Sequence, residues 1–173
     1  RLIERRIKAA GFRDLKTLDT FDWQFNTSIK KKQIFDLATC QFIRQQQDVL
    51  LLGPPGVGKS HLCQALCRAG IDRGAQCAYF ALAGQPLPPA QIVSGWDRAE
   101  LLCFDDIDWI AGNAEWEAAL FTLFNQGREH GARWLVTSSA PPAAVAIQLH
   151  DLRSRLNWGP VFELGSMEDD DRL

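Results

Sequence analysis

Residues Gly53-Pro54-Pro55-Gly56-Val57-Gly58-Lys59-Ser60 satisfy the pattern G-x-x-x-x-G-K-[ST]. The residue types explain the spacing. Glycines let backbone N–H groups converge on phosphate oxygens at a helix N-terminus, Lys59 brings a point charge to the β- and γ-phosphates, and the Ser60 hydroxyl is a ligand for Mg²⁺. The apolar run Val49 to Leu52 precedes the loop and a helical stretch, 59–70, follows it, which is the strand–loop–helix setting the chemistry needs. Gly53 through Ser60, with His61 after them, are therefore expected to hold ATP or ADP.

A phosphate-binding loop of this kind needs an acid at the end of a neighbouring apolar strand, and Leu101-Leu102-Cys103-Phe104-Asp105-Asp106 supplies two. Asp105 is expected to hold Mg²⁺ through water and Asp106 to orient the attacking water, with Asp108 a turn former. Trp134 to Thr137 is a further strand, ending in the hydroxyls of Thr137, Ser138 and Ser139 ahead of a Pro141-Pro142 turn. One hydroxyl could reach the γ-phosphate, or all three could be plain turn residues. Arg153 and Arg155, two apart in 151–156, suit either an arginine finger acting on a neighbour's nucleotide or a surface ion pair.

These groups need a scaffold that brings strand ends together. Ile34, Leu37, Ala38, Phe42 and Ile43 recur at helical spacing, predicting one helix within 29–46. Strands are predicted at Val49–Leu52, Cys77–Leu82, Leu101–Phe104, Trp134–Thr137 and Val161–Leu164, each short and apolar like strands covered on both faces. A helix whose face is Trp116, Leu120, Leu123 and Phe124 ends at Gly127 or Gly131. Residues 84–90, with three prolines, form a loop. Strands alternating with helices imply a doubly wound α/β layer around a parallel sheet.

Composition fits that picture. The chain has 173 residues, 46% hydrophobic and 23% charged, with net charge −2, suited to one globular domain rather than a disordered one. No apolar run approaches a membrane span, and no signal peptide is recognisable; the start at Arg1 reads as a trimmed fragment. Five cysteines without a C-x-x-C pair read as reduced core residues, hence a cytoplasmic protein. Residues 1–32 carry nine Lys/Arg against four Asp/Glu, whereas 33–173 carry ten against seventeen. The division expected is a basic arm, 1–28, and a nucleotide-binding core, 29–173, with the arm and Lys30, Lys31 and Lys32 able to touch DNA phosphates. All six lysines lie at or before Lys59, and the eight basic residues after it are all arginine.

The loop at Gly53–Ser60, the acid pair Asp105 and Asp106, the hydroxyl-bearing strand end and the segment 151–159 together resemble the AAA+ ATPases of the DnaA/DnaC/IstB branch. Residues from about 12 to 60 resemble IstB and DnaC, and those from about 60 to 173 resemble Hda and DnaA. The resemblance implies a five-stranded sheet in the order 5-1-4-3-2. It implies ATP hydrolysis, with Lys59 and Ser60 on phosphate and Mg²⁺, Asp105 on Mg²⁺, Asp106 as the second acid, and Ser138 or Thr137 as the sensor 1 group. Arg155 corresponds to the arginine finger presented to an adjacent AAA+ subunit, itself or DnaA-like, and Arg153 to a second interface arginine. Phe21 to Phe25 lies where the family's linker approaches adenine. The family's C-terminal helical lid is missing, the sequence closing on the acidic stretch Glu168–Asp171, so weak ATP affinity and little isolated turnover are expected. No clamp-binding peptide is recognisable. Three functions follow: an Hda/DnaA-like regulator of replication initiation, an IstB/DnaC-like DNA-binding transposition helper or helicase loader, or a chimeric core without native function.

Overall fold

The computed structural model describes residues 1–12, 14, 16–84, 86–141, 143–156 and 159–165. Pro142 and the acidic stretch 168–171 lie outside them. Five apolar segments pair in parallel: β1 (Val49–Leu52), β2 (Cys77–Ala81), β3 (Leu101–Asp105), β4 (Arg133–Ser138) and β5 (Val161–Glu163). Their order is β2-β3-β4-β1-β5, which is 5-1-4-3-2 read from the other edge. Six α-helices accompany them among the described residues: α1 (Leu2–Ala9), α2 (Lys31–Ala38), α3 (Gln41–Arg44), α4 (Lys59–Asp72), α5 (Ala114–Glu129) and α6 (His150–Arg155).

Chain direction decides which face each helix covers. From β1 the chain crosses to the far edge, β2, through α4; it then returns stepwise to β3, β4 and, beyond β1, β5. Right-handed crossovers taken in opposite directions fall on opposite faces. Accordingly Val49, Leu51, Tyr79, Leu101 and Cys103 meet Ile34 and Leu37 of α2 and Leu62 and Leu66 of α4 in one core. The alternate residues Leu50, Leu52, Phe80, Leu102 and Phe104 meet Trp116, Leu120 and Phe124 of α5 and Leu152 of α6 in the other.

Local chemistry modifies the expected helices in two places. The helix expected through 29–46 is two, because Cys40 takes a left-handed conformation at φ 61°. Thr39 Oγ1 donates to the Asp36 carbonyl at 2.6 Å and Cys40 N–H to Leu37 O at 2.9 Å, so the chain wraps on itself instead of continuing. In α5, Gly127 is interior, where a Cβ would press on that of Ala132 at 3.0 Å; Gly131, at φ +82°, follows the helix end.

Ala10, Phe12, Leu18, Phe21, Trp23 and Ile29 pack against the first face. Tyr79 N–H donates to Ala10 O at 2.7 Å, covering part of the β2 edge, and Phe21, Asn26 and Ile29 are buried. Asn26 Nδ2 donates to Gly165 O at 2.9 Å, tying this segment to the chain after β5. All five cysteines are free and buried. Among the described residues no helix is long and apolar enough to cross a membrane.

Candidate nucleotide-binding cleft

The loop after β1 is shaped by close approach on both sides. Leu164 N–H donates to Leu52 O at 2.6 Å, which brings the Leu164 carbonyl to 2.5 Å from where a Cβ on Gly53 would lie. Gly56 and Gly58 stand at φ +83° and +102°, and a Cβ on Gly58 would touch the Phe21 ring at 3.0 Å. Gly58 heads α4 with no side-chain cap, so the helix N–H groups open directly into a cleft. Lys59 is buried, and its Nζ donates to Gly53 O at 2.6 Å and Pro54 O at 3.0 Å. Ser60 is exposed at the helix start. His61 Nε2 lies 2.8 Å from Thr17 O and 3.3 Å from Thr20 Oγ1, with Phe21 edge-on to the ring, so residues 17–21 hold it beside the loop.

The cleft, about 500 Å³, brings Pro55, Gly56, Gly58, Lys59, Ser60 and His61 opposite Asp106, Asp108, Trp109 and Ser139, with Phe25 and Ala83 at its sides. A larger groove of about 710 Å³ runs beside β2, but no charged side chain lines it.

The two acids occupy different surroundings. Asp105 is buried at 2% exposure and does not line the cleft: Tyr79 Oη donates to its Oδ2 and Thr137 Oγ1 to its Oδ1, both at 2.5 Å. Burial, with the adjoining Asp105 carboxylate, pushes the Tyr79 phenol well above its ordinary pKa, so it stays a donor. Thr137 Oγ1 also accepts from Asp106 N–H at 2.8 Å, and Asp106 turns into the cleft through a left-handed backbone at φ 57°. Asp108, read as a turn former, lines the cleft too, and its Oδ2 accepts from Ser139 Oγ at 2.5 Å.

Of the two residues expected as sensor 1, Ser138 donates to Ala140 O at 2.7 Å in a local turn and Thr137 lies between Asp105 and Asp106, while Ser139 is the hydroxyl facing the cleft. Side-chain alternation puts Thr137 and Ser139 on one side of β4 and Ser138 on the other. Tyr79 went unread because nothing in its spacing to Asp105 signals contact; only the β2–β3 register brings the strands side by side.

Arg155 is not brought to this cleft. It borders a small crevice with Asp48, Val49, Leu50 and Trp134, at the opposite end of β1 from the loop, its guanidinium 5.9 Å from the Phe124 ring centre. Asp48 there accepts from Trp134 N–H at 2.8 Å and pairs with Arg128 at 2.5 Å, fixing the entry to β1. Arg153 lies on the same short helix, half-buried. Of the aromatic stretch, Phe25 lines the cleft, Phe21 supports Gly58, and Trp23 turns outward onto Phe35.

Two family profiles divide the chain. The family described as IstB-like ATP binding protein matches residues 1–85, and that described as the bacterial DnaA ATPase domain matches 91–163. The change of resemblance therefore falls in the loop after β2 rather than near residue 60. Among solved structures, DnaA from Aquifex aeolicus bound to AMPPCP is 20% identical, with TM-score 0.72. A replication initiator DnaA bound to AMPPCP and single-stranded DNA is 18% identical, with TM-score 0.69. Each match covers 89% of this chain and 51% of the other, so the chain spans about half the length of these DnaA proteins. A Neisseria meningitidis protein solved in solution is 34% identical, with TM-score 0.53, over 68% of this chain and 74% of that one.

Proposed function

We propose that this chain, similar to the IstB-like ATP binding proteins over residues 1–85 and to the bacterial DnaA ATPase domain over 91–163, is an AAA+ P-loop ATPase core that binds MgATP in the cleft at the head of α4 and acts in replication-initiation control as a partner of another AAA+ subunit. The observation that carries the reading is the convergence of Lys59, Ser60, Asp106, Asp108 and Ser139 on one cleft at an uncapped helix N-terminus. The residues fit the group: a buried lysine whose ammonium donates to loop carbonyls, an exposed serine hydroxyl and two acids across from it. Bound MgATP supplies a phosphoanhydride open to hydrolysis. The chain's own part is to grip the phosphates with Lys59 and the loop N–H groups, offer Ser60 to the cation, and aim water with Asp106. Asp105 acts from behind, its carboxylate fixed by Tyr79 and Thr137, while Thr137 pins the backbone of Asp106.

Arg155 lies away from the chain's own cleft, which suits a finger for a neighbour's nucleotide, with Arg153 beside it. The experiment is steady-state ATP hydrolysis by a DnaA-type ATPase mixed with the wild-type chain or with Arg155→Ala. A change in the partner's rate that Arg155→Ala abolishes supports the reading. Equal rates with both proteins and without either would overturn the regulatory role. A second reading, an IstB/DnaC-like DNA-binding helper, is favoured by the match over residues 1–85 and by the basic arm. Salt-dependent DNA binding by the chain would support it.

A further inference from the structure

The start of α2 conflicts with helix electrostatics. Lys30 is its N-cap and Lys31 and Lys32 are its first residues; no side chain caps the helix, and no acid lies in its first turn. Three cations at the positive end of a helix dipole are unfavourably placed. At α5 the same chain follows the rule, with Asn113 capping Trp116 N–H and Glu115 and Glu117 in the first turn. A local choice made against the fold's own preference marks a place kept for something else.

Aromatic rings adjoin these lysines. Trp23 stacks on Phe35 with centroids 5.5 Å apart and planes 29° from parallel. Lys31 Nζ lies 5.5 Å from the Trp23 centroid and 5.6 Å from that of Phe35. The ammonium is therefore within cation–π reach of both rings. Phe35 is 43% exposed, large for a phenylalanine on a helix that also faces the core. It also lines a groove of about 550 Å³ floored by Ala38, Ala65 and Ala69, with Arg68 at its side. Two carboxylates border the groove as well, and one of them, Asp72, is paired with Arg68 at 3.1 Å.

We infer that Phe35, backed by Trp23 and flanked by Lys30, Lys31 and Lys32, is a stacking platform for single-stranded nucleic acid. A partly exposed ring takes an unpaired base, and lysines and an uncapped helix end take the flanking phosphates. A duplex keeps its bases inside and could use only the lysines. This deepens the DNA-binding reading of the N-terminal region and rests on it.

The test is fluorescence anisotropy of the whole chain with a labelled 20-nucleotide oligo-dT and, separately, a duplex of equal length, across a salt series. Variants are Phe35→Ala, Phe35→Trp, the triple Lys30→Ala/Lys31→Ala/Lys32→Ala, and Arg5→Ala/Lys8→Ala on α1, each checked for an unchanged melting curve. Expected are preference for the single strand, at least about fivefold weaker binding by Phe35→Ala, and retention by Phe35→Trp. The triple variant should lower the salt slope by about 2. Phe35→Ala binding like wild type, or duplex bound as tightly as single strand, would overturn the platform. If only the α1 variant then weakens binding, the broader DNA reading survives without the platform; if wild type binds neither nucleic acid, both fall.

Discussion

The two faces of the sheet are made by different stretches of chain and packed with different chemistry. On the first, helices from the N-terminal half cover a core containing Cys63, Cys67, Cys77 and Cys103. On the second, residues after β2 cover aromatic rings: Phe80 stacks on Phe104 at 5.1 Å, and Trp134 meets Phe104 at 4.5 Å and Phe124 at 5.2 Å. The faces divide where the family matches divide, between residues 85 and 91, because the chain reverses direction after β2 and right-handed crossovers then move to the other side. A change of sequence character at that loop is a change of face, so each half can carry its own packing while both share the strands. The cleft lies where the halves meet, with its loop from the first and its acids and Ser139 from the second.

If the shared strands bind the faces into one unit, a large cavity on either side lowers the stability of both. Trp116 is 1% exposed and its Nε1 donates to Pro88 O at 2.8 Å, so Trp116→Ala should cost about 3–5 kcal/mol, read by urea unfolding. On the other face, Leu66→Ala, from a site 1% exposed, should cost about 2–5 kcal/mol. Both should shift a single transition; two separable transitions would make each face its own unit.

A smaller effect concerns the polar seam of the second face. Glu117 is buried, accepting Gly112 N–H at 2.7 Å through Oε2 and Leu149 N–H at 2.7 Å through Oε1. Glu117→Ala leaves both donors unmet and should cost about 1–3 kcal/mol by the same measurement. The first face has its own signature in pH. Burial pushes the Cys63 thiol up to about 12, so the folded state keeps a proton that the unfolded chain releases above about 8.5. Its contribution is complete below that pH and is lost progressively on raising it, with a slope of at most about 1.4 kcal/mol per pH unit. Cys63→Ala should flatten the alkaline fall in stability seen in denaturant titrations from pH 8 to 11.

Elements whose chemistry is local were legible in the sequence. The runs at Val49–Leu52 and Leu101–Phe104 are strands because nothing but a doubly covered sheet accommodates them, and Gly53–Ser60 announces its own turn. What depended on register was not legible. Nothing in the chain's local pattern showed that β2 sets the Tyr79 hydroxyl on Asp105, or that Ser139 faces the cleft because alternation along β4 extends past the strand end. Asp108 looked like punctuation because its partner, Ser139, is 31 residues away. The break at Cys40 came from a threonine hydroxyl bonding back to its own helix, which apolar periodicity does not register.

Everything proposed for this chain depends on the cleft joining the two halves holding MgATP. The direct measurement is equilibrium binding of a fluorescent ATP analogue with Mg²⁺ by the wild-type chain beside Lys59→Ala. Saturable binding by wild type that Lys59→Ala loses at least tenfold, with both proteins folded, is the predicted result. Equal binding by the two, or none by wild type, would contradict it.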